Sequence, residues 1–102
     1  MKKVLVASLL ASFVSSSLLA HTALMNCFDN GDGTIGCEAG YSDGSSASGV
    51  PLKVLQNGKT LYEVKLDKNS ETTFKKPQGD YSVVLDGGDG HAVRIQSSSI
   101  LK

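Results

Sequence analysis

The chain has 102 residues, with ten basic and ten acidic side chains that give a net charge of zero. This length suits one small domain, and the balanced charge leaves no basic patch of the kind that binds nucleic acid. Only two cysteines and two histidines are present for metal or redox chemistry.

Residues 1–20 predict a secretory signal peptide. A pair of lysines supplies a basic start, a largely apolar run follows, and Ala20 is the expected cleavage point. The run is too short for a stop-transfer helix, and no second apolar span follows it. Processing would leave residues 21–102 as a single domain that begins at His21, with eight basic and ten acidic residues. We therefore expect a periplasmic or otherwise secreted protein without a membrane span in its mature chain.

The first two predicted strands form a hairpin around the sequence Asn-Gly-Asp-Gly at residues 30–33. Pairing Asn30 with Thr34 across a three-residue loop also places Cys27 directly opposite Cys37. In an oxidising compartment these cysteines are expected to form a disulfide. A disulfide that closes so short a loop stabilises the folded chain by about 2–3 kcal/mol. A calcium-loop interpretation of this turn fails because glycines occupy two positions that must carry Asp or Asn.

The middle of the chain predicts three more strands. Residues 42–49 are small and polar, and they indicate a long crossover rather than an interdomain linker, because only about twenty mature residues precede them. Alternating residues then predict strands at 50–56 and 59–66 around the turn Asn57-Gly58, followed by a short strand at 71–75. Charged residues at the exposed positions indicate ordinary solvation and edge protection.

Two final strands flank a glycine-rich acidic loop. Tyr81, Val83 and Leu85 share one face of the first strand, residues 86–90 form the loop, and His91 begins the second. No long segment shows a helical repeat of apolar residues. The predicted fold class is all-β, a small antiparallel β-sandwich of about seven strands, transthyretin-like or Ig-like.

A family resemblance adds to this prediction. The motifs that carry it are Gly49-Val-Pro-Leu-Lys-Val54, Asn57-Gly58, Lys65-Leu66-Asp67, Thr73-Phe74, Pro77 and Gly79-Asp80-Tyr81-Ser-Val83. Together they resemble the transthyretin-like, carboxypeptidase-regulatory-type sandwich over about residues 49 to 86. The mature start at His21 and the stretch Leu85–His91 also resemble periplasmic accessory components of bacterial nickel uptake systems, with Asp89 where those proteins would carry proline. That resemblance implies nickel handling and a membrane metal transporter, or another periplasmic protein, as the partner.

Strand direction brings the two histidines to one end of the domain. If consecutive strands run antiparallel, every odd-numbered strand begins at the same end, so His21 and His91 share it. The α-amine and imidazole of His21 and the imidazole of His91 are therefore candidate ligands for nickel(II) or copper(II), with Asp86 and Asp89 as candidate oxygen ligands. These ligands bind a metal only after they lose their protons, so acidification should weaken binding.

A second interpretation needs no metal. A histidine beside a cleavage site is often incidental, and a β-sandwich of this size also serves as a structural or protein-interaction module. We do not expect an enzyme, because the serines lack a histidine and an acid at a recognisable spacing. The two cysteines are not a redox Cys-x-x-Cys pair, since nine residues separate them.

Overall fold

A computed structural model describes residues 22–88 and 91–102 of the chain. The described residues form seven strands and one short 3-10 turn. These are β1 (Ala23–Asp29), β2 (Thr34–Tyr41), β3 (Pro51–Gln56), β4 (Lys59–Lys65), β5 (Glu71–Lys75), β6 (Ser82–Asp86), β7 (Ala92–Gln96) and the turn Ser97–Ser99. No helix in this part of the chain has the length and apolar composition needed to span a bilayer.

The strands form two antiparallel sheets. One has the order β1-β2-β5 and the other the order β4-β3-β6-β7. The segment between β2 and β3 crosses from the first sheet to the second, as predicted for residues 42–49. The predicted all-β sandwich of seven strands is confirmed.

The core lies between the sheets because alternate residues of each strand point inward. Ile35 of the first sheet and Leu52, Val54, Val83 and Leu85 of the second are fully buried. The inward faces of the central strands therefore carry β-branched or leucine side chains, which fill a layer between pleated sheets well.

The first hairpin has the predicted register. Asn30 N–H donates to the Thr34 carbonyl at 3.0 Å, and Cys27 lies opposite Cys37 with a Cα–Cα distance of 4.1 Å. Hydrogen-bonded and non-hydrogen-bonded pairs alternate along an antiparallel ladder, so the cysteines occupy a non-hydrogen-bonded pair, where side chains approach most closely. The two cysteines are joined by a disulfide, a bond typical of oxidising environments.

The second hairpin turns at the predicted dipeptide. Asn57 and Gly58 both have positive φ, 53° and 76°, as a type I′ turn requires. A register shift after Val54 leaves Leu61 as an extra residue of β4 without a partner in β3. The sequence alternation did not predict this bulge. Leu61 is 44% exposed.

The crossover between the sheets is fixed by buried contacts. Ala47 is fully buried, and its N–H donates to Ser70 Oγ at 2.9 Å. Ser70 itself has a positive φ of 61° and is 8% exposed. The segment therefore packs as part of the sandwich, and its small residues allow it to pass close to the β4–β5 turn.

Candidate functional site

One end of the sandwich, which we call the histidine pole, combines the start of β1, the end of β2 and the β6–β7 loop. Ala23 is the cross-strand partner of Tyr41, and the Tyr41 ring lies against the His91 ring with a centroid distance of 6.0 Å and an edge-on angle of 82°. The start of β1 and the start of β7 therefore lie at the same end, as strand parity predicts. Tyr41 lies between them.

The backbone of the β6–β7 loop positions His91. Gly87 N–H donates to the His91 carbonyl at 2.9 Å, and His91 N–H donates to the Gly88 carbonyl at 2.8 Å. Asp86 Oδ1 accepts the Gly88 N–H at 3.1 Å. The Asp86 carboxylate thus holds the turn that presents the imidazole, and its other oxygen stays open to solvent because the residue is exposed.

Tyr41 and Gly87 fit together closely beside the imidazole. A Cβ placed on Gly87 would lie 2.7 Å from Tyr41 Oη and 2.9 Å from the His91 carbonyl oxygen. Only glycine leaves room for this approach. The half-buried His91 ring forms no hydrogen bond to another described residue.

Of the four predicted metal ligands, two lie within the described residues. Asp86 and His91 flank the same short loop, whereas His21 and Asp89 lie outside the described residues. In residues 22–88 and 91–102, no three His, Cys, Asp or Glu side chains lie close enough to hold a metal ion.

The other carboxylates near this pole hold their own turns. Asp43 Oδ1 accepts the N–H and the hydroxyl of Ser45 at 2.9 and 2.6 Å. Asp67 Oδ1 accepts the N–H groups of Asn69 and Glu71 at 2.8 and 3.0 Å. Aspartates commonly hold loops in this way.

At the opposite end, the first hairpin is held to the β5–β6 segment. Lys76 Nζ lies 2.8 Å from Asp29 Oδ2, and the Lys76 N–H donates to the Gly33 carbonyl at 2.9 Å. The hydrogen bond from Lys76 and then that from the Gly31 N–H lower the pKa of Asp29. The pKa of Asp32 is also lowered, first by the Thr34 hydroxyl and then by the Thr34 N–H. Turn chemistry thus explains the aspartates that resemble a calcium loop.

Tyr41 is the residue of the histidine pole that the sequence prediction missed. The sequence predicts a strand after the first turn without marking its end, and β2 continues to Tyr41 and pairs with the whole of β1. Extending the hairpin register to the first residues of β1 would have placed Tyr41 at the pole. Its contact with His91 could not be found this way, because the two residues belong to different sheets.

Comparisons with protein-family models, curated proteins and solved structures found no match to this chain. The resemblance to transthyretin-like sandwiches and to nickel-uptake components therefore stays a prediction.

Proposed function

We propose that this protein is a secreted, periplasmic metal-binding module rather than an enzyme, and that it binds nickel(II) or copper(II) at the histidine pole. The observation that carries the proposal is the position of His91. Its half-buried imidazole is free of hydrogen bonds to other described residues and lies against Tyr41, beside the start of β1.

The proposed ligands come from two segments. Cleavage after Ala20 would make His21 the first residue, with an α-amine and an imidazole that can chelate one ion together. His91 would add a second imidazole, and Asp86 or Asp89 an oxygen. Nitrogen-rich sets of this kind suit copper(II) and nickel(II) better than calcium or magnesium. The bound ion would then pass to a membrane transporter or another periplasmic carrier.

Calorimetric titration of the processed domain with nickel(II) and copper(II) tests the proposal. The sample is produced by secretion with residues 1–20 in place, and only material that mass spectrometry shows to begin at His21 is titrated. We expect one-to-one binding that His91→Gln and one additional N-terminal residue each weaken at least about tenfold, since each removes a ligand. Affinity should also fall as the pH is lowered, because the amine and the imidazoles must be deprotonated.

A matched pair of aspartate variants separates coordination from turn stability. Asp86→Asn changes a carboxylate at the histidine pole, and Asp32→Asn changes one that holds a turn at the opposite end. Weaker binding in Asp86→Asn alone would support an oxygen ligand there. Binding that is unchanged by both His91→Gln and the N-terminal extension would refute the metal site.

The alternative is an interaction module that needs no metal. The observation that favours it is the exposure of Leu24 and Phe28, which are 53% and 42% exposed on the same face of β1. That face lies away from the core.

A further inference from the structure

The outer face of the β1-β2-β5 sheet carries a groove of about 490 Å³. Because Ile35, Cys37 and Phe74 point into the core, the residues next to them in β2 and β5 point outward. The groove is lined on this face by Leu24, Asn26, Glu38, Gly40, Asn69 and Glu71. We call this surface the acidic groove.

Two exposed apolar side chains lie opposite glycines on this outer face, Leu24 within the acidic groove and Phe28 beyond its end. Leu24 pairs with Gly40, and Phe28 pairs with Gly36. A Cβ on Gly36 would lie 3.0 Å from Phe28 Cε2, so the ring lies over the glycine. Gly40 offers Leu24 no cross-strand side chain. Gly40 thus deepens the groove, whereas Gly36 is buried under the Phe28 ring beyond the end of the groove. Leu24 and Phe28 both leave apolar surface exposed.

Two carboxylates line the acidic groove, Glu38 and Glu71. Glu38 is the direct cross-strand partner of Glu71, and both side chains are exposed. Like charges directly opposite each other on one sheet face are destabilising. No lysine or arginine in the described residues forms an ion pair with either carboxylate. The fold thus keeps an unneutralised negative pair beside exposed apolar surface.

The spacing of these groups matches an extended peptide. Leu24 and Phe28 are four residues apart in β1, or about 13 Å at about 3.3 Å per residue. Asn26 lies midway between them, and its cross-strand partner is Glu38. In an extended chain the side chains at positions 1, 3 and 5 share one face with the same spacing. A cation at position 3 would therefore meet the carboxylates while apolar residues at positions 1 and 5 cover Leu24 and Phe28.

We propose that the acidic groove docks an extended segment of a partner protein with the pattern apolar-x-Lys/Arg-x-apolar. The cation neutralises the Glu38–Glu71 pair, and the flanking side chains remove apolar surface from water. This docking does not depend on metal binding at the histidine pole, so the two proposals can fail separately.

Fluorescence anisotropy with a labelled peptide tests the docking. The probe is the capped peptide Gly-Leu-Ser-Lys-Ser-Leu-Gly, and the control peptide carries Glu in place of Lys. We expect the lysine peptide to bind and the glutamate peptide not to bind. The affinity should fall as salt is raised from about 0.05 to about 0.5 M, because exposed charges are screened. Backbone amide shifts in a ¹⁵N-labelled sample should be confined to β1, β2 and β5.

Protein variants test whether the two carboxylates bind the peptide or only affect the stability of the fold. The double variant with Glu38→Gln and Glu71→Gln should bind the lysine peptide about tenfold more weakly than the wild type. The melting temperature of this variant should equal or exceed that of the wild type, because the repulsion between the two carboxylates is removed. The matched control is Glu63→Gln on the other sheet, whose carboxylate pairs with Lys53 at 4.0 Å, and it should bind like the wild type.

Three results would overturn the proposal. These are equal binding of both peptides, no binding of the lysine peptide up to millimolar concentration, and a wild-type dimer that dissociates in the double variant. The last result would mean that a second copy of this chain covers the face instead.

Discussion

Loss of the Cys27–Cys37 disulfide should destabilise the sandwich by an amount that its loop length predicts. The cysteines are 10 residues apart in sequence, and the chain-entropy relation gives about 2.7 kcal/mol at 25 °C for a loop of this size. A domain of this length has a total stability of about 4–12 kcal/mol. The cross-link therefore supplies a large share of it, and reduction should lower the melting temperature by about 11–22 °C.

Thermal unfolding followed by circular dichroism measures this effect. Reducing the wild type removes the cross-link but keeps both sulfur atoms, so it isolates the loop contribution. The variant with Cys27→Ala and Cys37→Ala should melt lower still, because Cys37 is only 2% exposed and its sulfur packs in the core. A reduced wild type that melts within about 4 °C of the oxidised protein would refute the loop-closure reasoning.

Two further predictions concern stability. Ser70→Ala should cost about 1–3 kcal/mol in urea unfolding, because it leaves the buried N–H of Ala47 without its acceptor, and a loss below about 0.5 kcal/mol would contradict this role. The pKa of Asp29 is lowered from 3.8, so its contribution is complete above pH 3.8 and disappears as the pH falls through the lowered value. The stability difference between wild type and Asp29→Asn should therefore close on acidification, and a gap that stays constant with pH would count against the Lys76–Asp29 contact.

Local pairing was predictable from the sequence, and pairing between distant segments was not. The turn residues set the register of the first hairpin, which is why Cys27 and Cys37 could be paired by position alone. No local feature specifies that β2 pairs with β5, because their alternation is compatible with several neighbours. The bulge at Leu61 was missed for a related reason, since an extra residue does not interrupt the pattern of charged and apolar positions.

Of the two candidate sites, the position of one was predictable from the sequence and that of the other was not. The alternating direction of consecutive strands predicted that His91 lies at the same end of the sandwich as the start of β1. This prediction required only the number of strands between β1 and His91. The Glu38–Glu71 pair could not be found from the sequence, where Glu71 indicates only ordinary solvation. Its significance depends on β2 and β5 being neighbours, which tertiary structure decides.

The order of strands also determines how the chain can fold. The first sheet needs β5, which follows the β3–β4 hairpin in sequence, and the second sheet needs β6, which follows β5. The first sheet is completed only after half of the second has been synthesised, and the second only after all of the first. The three hairpins β1–β2, β3–β4 and β6–β7 are the low-contact-order units that can form early, whereas docking of β5 closes a long loop and should limit the folding rate. A fragment that ends after β4 would leave the central strands β2 and β3 each without one neighbour, so the sandwich is expected to fold and unfold as one cooperative unit.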